Sequence, residues 1–154
     1  MDQLWLVCDV SGSMAESGKR FVTRGVVRQV EQYFKFGYAN PVDLRLATWR
    51  TEIKAYNWQS DDEVPVELFD CHGSSSSDAL FSFIKQQLKS KFLVLTDGGW
   101  SGECGRSIRL EGKSVGGDIV RFVKIGYDGN TSLKGQKVAD VDGLLVLLDG
   151  WFKE

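Results

Sequence analysis

Two segments of this chain carry no polar residue over the length of a strand: Leu4-Trp5-Leu6-Val7-Cys8 and Phe92-Leu93-Val94-Leu95. A strand with one wet face alternates apolar and polar side chains, whereas an unbroken apolar strand must be covered on both faces. Both runs end abruptly in small polar loops, Asp9-Val10-Ser11-Gly12-Ser13-Met14 and Thr96-Asp97-Gly98-Gly99. After the first loop, Val22, Val26, Val30, Tyr33 and Phe34 recur at helical spacing, with Ser17 placed to cap the helix and Gly37 to stop it. A doubly buried strand followed by an amphipathic helix is the building unit of an open, mostly parallel, doubly wound α/β sheet with helices on both faces.

The rest of the chain extends that pattern. Residues 43–49 read as a second strand, and Arg50-Thr51-Glu52 turns it into a third, 53–58, whose mixed polar and aromatic character suits an antiparallel sheet edge. Trp49, Tyr56 and Trp58 on this hairpin read as cross-strand packing rather than as an aromatic binding surface. Ala79, Leu80, Phe83, Ile84 and Leu88 mark a second helix, with Ser77 as its cap. Residues 119–125 predict a fifth strand and 137–141 a short sixth, while 100–117, rich in Gly, Ser and charge, presents no clear element. Leu144, Leu145, Leu147, Leu148, Trp151 and Phe152 give a final helix docking one apolar face. With 154 residues and no linker-like stretch, the expectation is a single domain spanning 1–154.

Composition removes several function classes. Nineteen Lys+Arg against 21 Asp+Glu, for a net charge of −2, leave no basic stripe for nucleic acid. The longest apolar run near the N-terminus is far shorter than the ~20 residues of a membrane span, and acidic Asp2 sits where a signal peptide would be basic. Three widely spaced cysteines fit a reducing compartment better than a disulfide framework. The expected location is cytoplasmic.

In a doubly wound sheet, ligands bind beyond the carboxyl ends of the strands, where the winding reverses. The first and fourth strands are the most apolar and are expected to be central and adjacent, which brings Asp9 and Asp97 together. Ser11 and Ser13 from the first loop, and Ser74 or a neighbour ahead of the second helix, converge on the same place. All of these groups are oxygen donors, and no lysine or arginine lies within the three loops. Two neighbouring carboxylates need a positive charge between them, and a hard divalent cation takes oxygen ligands. Mg²⁺ is the first choice, with Mn²⁺ or Ca²⁺ as alternatives.

Asp9-Val10-Ser11-Gly12-Ser13-Met14 resembles the DxSGSM signature of von Willebrand factor type A domains. His72-Gly73-Ser74 is similar to the GGT segment of that family's second loop, and Thr96-Asp97-Gly98 to the TDG of its third. The order of elements matches along nearly the whole chain. The resemblance implies a metal-ion-dependent adhesion site, with Ser11, Ser13 and the second-loop hydroxyl on the ion and with Asp9 and Asp97 acting mostly through water. It also implies a partner protein that supplies an Asp or Glu carboxylate as the last ligand. Small intracellular relatives of this kind serve as adaptors, some beside AAA+ ATPases or in phosphosignalling complexes. The resemblance thus implies a non-enzymatic interaction module. The competing reading is a metal-dependent hydrolase in which the same carboxylates activate water.

Other motifs are weaker. Gly112-Lys113-Ser114 looks like the end of a P-loop, but Ser107 stands where the first glycine belongs and no apolar strand precedes it. Cys71, His72 and Cys104 lack the paired spacing of a zinc site, and adjacent Cys71 and His72 point apart on an extended chain. Trp100, Cys104 and Arg106 are candidates for a partner-facing rim.

Overall fold

The two apolar runs form the middle of the sheet. In the computed structural model, which describes residues 2–100, 102–126 and 137–152, β1 (Asp2–Asp9) lies between β2 (Val42–Trp49) and β4 (Lys91–Thr96) and runs parallel to both. Leu6 is paired with Leu46 on one side and Leu93 on the other. The six-stranded order is β3-β2-β1-β4-β5-β6, with β3 (Ile53–Ala55), β5 (Val120–Lys124) and β6 (Val138–Asp140) completing it. Only β3 is antiparallel to its neighbour among these strands, as the short Arg50–Glu52 turn requires.

Side-chain alternation along β1 feeds two cores. Leu4, Leu6 and Cys8 face α1 (Lys19–Lys35) and α4 (Leu144–Phe152), where Val26, Val27, Val30, Leu144, Leu148 and Trp151 cover them. Trp5 and Val7 face the opposite layer, formed by Leu80, Phe81 and Ile84 of α2 (Ser77–Lys85) and Ile108 of α3 (Gly102–Val115). Full burial of each such aliphatic side chain contributes about 1.5–3 kcal/mol, so an unbroken apolar strand is stable only in this double-sided position. In α4 the expected face docks through Leu144, Leu147, Leu148 and Trp151, while Leu145 turns outward.

Several local expectations change. Residues 102–115 form α3, in which Ile108 is buried in the core with Cys104 and Val115 packed beside it, while Leu110 is exposed. The polar remainder of its surface is why no apolar stripe stands out in the sequence. Gly112-Lys113-Ser114 is part of that helix rather than a strand-to-helix loop. Ser17 adopts a left-handed backbone (φ 54°) and the cap position falls on Gly18, so α1 starts at Lys19. Ser76, not Ser77, caps α2, its hydroxyl accepting from the Ala79 N–H at 3.2 Å. Gly37, at φ 77°, does terminate α1. Trp49 and Trp58 are both buried but in opposite cores, so the edge hairpin presents neither an aromatic surface nor an aromatic ladder. No helix among the described residues is long and apolar enough to cross a membrane.

Candidate metal centre

The winding reverses between β1 and β4, because the chain leaves β1 toward β2 and later returns to β1's other side. Asp9 and Asp97 stand at and just past the carboxyl ends of these two strands, and both are buried. The first loop is stitched to the second by backbone bonds, with the Gly12 N–H donating to the Gly73 carbonyl at 2.8 Å and His72 N–H to the Val10 carbonyl at 2.9 Å. A Cβ on Gly12 would come within 3.4 Å of the Gly73 oxygen, which shows how closely the two loops approach here.

Asp9 is the hub. Its Oδ1 accepts from the Ser11 N–H at 2.9 Å and from the Ser75 hydroxyl at 3.1 Å, and its Oδ2 accepts from the Thr96 hydroxyl at 2.6 Å. The Thr96 oxygen in turn accepts from the Gly98 N–H at 3.1 Å. Burial pushes the Asp9 carboxyl above its ordinary value, against the hydrogen bonds from Thr96 and Ser11, and the charge on Asp97 adds to the rise.

Asp97 is held differently. Burial acts to raise its carboxyl as well, but the Gly99 N–H (2.9 Å), the Lys19 ammonium (2.9 Å) and the Ser13 hydroxyl together outweigh it and hold the group below its ordinary value. The two carboxylates therefore diverge: one is strained by its own charge, the other is stabilised as an anion.

The structure thus brings together Asp9, Ser11, Ser13 and Asp97. Ser74, one residue before the contact, is exposed, and the second-loop hydroxyl on Asp9 is that of Ser75. A run of identical residues, Ser74 to Ser77, gives no sequence signal for which member turns inward. Two further groups escaped sequence reasoning. Thr96 was legible only as part of a Thr-Asp-Gly motif, and its burial makes it the strongest donor to Asp9. Lys19 lies outside the three loops, yet its ammonium enters the site from the first turn of α1, so the carboxylates do not lack a protein cation. A lysine in the first helical turn opposes the helix dipole, and that mismatch was the available signal.

The donor set fits a hard divalent cation. Three serine hydroxyls bonded to, or beside, two carboxylates offer oxygen without sulfur or imidazole. No group of three or more His, Cys, Asp or Glu suited to a metal occurs among the described residues, so any ion here must rely on hydroxyls. Cys71 and Cys104 do not join His72. The His72 ring meets Arg50 and Asp70 on the exposed outer side of the second loop. Burial pushes the thiols of Cys8, Cys71 and Cys104 upward, so none is poised as a nucleophile. Of the expected rim, Arg106 is exposed and Cys104 is half-buried. Trp100 packs against Trp49 and Phe122, with centroids 6.0 and 6.2 Å away.

No protein-family model and no curated protein matches the sequence. Solved structures do resemble the fold. Proximal thread matrix protein 1 from the mussel byssus superposes with a TM-score of 0.59 at 12% identity, over 97% of this chain and 44% of its own. The manganese-loaded TRAP protein of Plasmodium vivax gives 0.59 at 12%, over 96% and 72%. The Ro protein of Deinococcus radiodurans gives 0.57 at 14%, over 90% and 31%. This chain thus spans under half the length of the byssus protein, which has also been seen with a zinc-occupied MIDAS motif. Identities this low carry the architecture alone, and on that architecture the chain has the von Willebrand factor A-like fold.

Proposed function

We propose that the chain is a metal-dependent protein-interaction module that captures an Asp or Glu side chain of a partner at the Asp9–Asp97 site. The observation that carries this reading is the convergence of hydroxyls from separate loops on two buried carboxylates: Ser11 and Ser75 on Asp9, and Ser13 on Asp97. Ser11, Ser13 and Ser75 are the direct ligands in this reading. Asp9 and Asp97 orient those hydroxyls and balance charge, while Ser74, beside Ser75 in sequence, is exposed. A divalent ion, Mg²⁺ or Mn²⁺, supplies Lewis acidity there, and neutral hydroxyl ligands leave most of its charge for a carboxylate from outside. The manganese-loaded TRAP protein and the byssus protein with its zinc-occupied MIDAS motif share this fold and hold divalent cations, which supports a cation here.

A hydrolytic reading needs a group positioned to take a proton from water. The sole histidine, His72, is turned toward Arg50 and Asp70, away from the carboxylates, so binding without catalysis is favoured. The resemblance in the three loops extends the proposal to an adaptor working in the cytoplasm, with an AAA+ ATPase or a phosphosignalling component as the class of partner.

Calorimetric titration of the metal-stripped protein with Mg²⁺ and Mn²⁺ tests the site. The control is a Ser11→Ala/Ser13→Ala variant, which removes two hydroxyls and leaves the Lys19–Asp97 pair in place. Saturable heats in the wild type that vanish in the variant are expected. Equal heats in both proteins, or none in either, would overturn the proposal.

A further inference from the structure

Lys19 is the one basic residue buried among the described residues, at 1% exposure. Its ammonium lies 2.9 Å from Asp97 Oδ2, with both side chains 2% exposed, and 3.4 Å from the Ser13 carbonyl oxygen. It therefore contacts two of the residues assigned to the ion. The contact is built into the fold. The Lys19 stem lies against Gly126, where an added Cβ would meet Cε at 3.0 Å, and Gly126 itself sits at φ 88°. The Thr23 hydroxyl donates to the Lys19 carbonyl at 3.0 Å, fixing the turn that carries the side chain.

Such an arrangement has a cost. Burying an ammonium removes its hydration, and its place at the start of α1 opposes the helix dipole. A site designed only to grip a divalent ion would be better without it, since the two cations repel. The charge balance gives it a use. Two carboxylates and one ammonium leave a single negative charge, and a divalent ion converts this to a single positive one, which an anionic group from a partner neutralises.

Resting on the metal-dependent reading above, we propose that Lys19 is a tethered counter-cation. It stabilises the metal-free site through Asp97 and weakens the chain's own hold on the ion, so that the partner's carboxylate is needed for tight occupancy. Lys19 is a positioning and affinity-setting residue here, not a ligand.

The test is Mn²⁺ titration of metal-stripped wild type, Lys19→Met and Lys19→Gln, together with thermal unfolding of each with and without Mn²⁺. Both variants are expected to bind Mn²⁺ at least about tenfold tighter, because a unit charge is removed within contact distance of Asp97. Their metal-free melting points should fall, and Mn²⁺ should raise them by more than it raises that of the wild type. Unchanged or weaker binding in folded variants, with the wild type binding normally, overturns the counter-cation role and leaves the metal site standing. No Mn²⁺ binding by any of the three overturns both readings. Variants that stay unfolded even in excess Mn²⁺ overturn the inference too, by making Lys19 a plain structural requirement.

Discussion

Thr96→Val isolates the energetics of the Asp9 hub. Thr96 is fully buried at the end of β4, and valine keeps its shape and its strand preference while replacing the hydroxyl with a methyl. Two bonds are lost: the 2.6 Å donation to Asp9 Oδ2 and the 3.1 Å acceptance from the Gly98 N–H. A hydrogen bond to a charged group contributes about 1.5–3 kcal/mol, and stranding a buried N–H costs about 1–3 kcal/mol. The added buried methyl returns about 0.8 kcal/mol. The net loss is about 2–5 kcal/mol, which for a chain of this length lowers the melting point by roughly 4–20 °C. Asp9, already raised by burial, should rise further once its strongest donor is gone. Urea unfolding of the metal-free protein with an unchanged m-value measures the loss directly. A cost below about 0.5 kcal/mol would refute the reasoning, because it would mean that Asp9 does not need the Thr96 donor in the folded state.

Two further outcomes follow from the same structure. Ser75→Ala should weaken Mn²⁺ binding at least several-fold while Ser74→Ala leaves it within about twofold, since of these two hydroxyls only that of Ser75 reaches Asp9; calorimetry of the two variants side by side decides it. Asp118 is held below its ordinary value of 3.8, chiefly by the Arg121 guanidinium, which also donates to the Leu147 carbonyl of α4 at 3.0 Å. Its contribution is therefore complete above pH 3.8 and fades as the pH falls through the lowered folded value. Asp118→Asn should cost under about 1 kcal/mol at neutral pH, discounted for the exposure of Asp118, and the difference from wild type should close in acid, as read by urea midpoints across pH.

Much of the site was legible because its chemistry is local. The Asp9-Val10-Ser11-Gly12-Ser13 loop carries its donors within a few residues, and Asp97 directly follows an apolar strand that had to be central. Reading the second loop was harder. Four consecutive serines look alike in a sequence, and the choice of Ser75 depends on where the Gly12–Gly73 backbone bond anchors the loop. The helix over 102–115 was hidden for a different reason. It shares its core with α2, and Ile108 is its main buried apolar side chain, so no full stripe is required.

The sequence by itself pointed to the architecture and to the place of the candidate site in it. An apolar strand without alternation must be covered on both faces, which makes β1 and β4 interior strands, and their parallel pairing brings the ends that carry Asp9 and Asp97 to the same edge of the sheet. What only the tertiary structure decided is the electrostatic state of that pair. Lys19 is ten residues from Asp9 along the chain and seventy-eight from Asp97, and nothing local aims its ammonium inward. Packing of α1 over the sheet, with Gly126 leaving room for the lysine stem, brings the charge to Asp97 while Asp9 receives only hydrogen bonds. Coulomb energy depends on separation in space and on burial, both of which are set by folding.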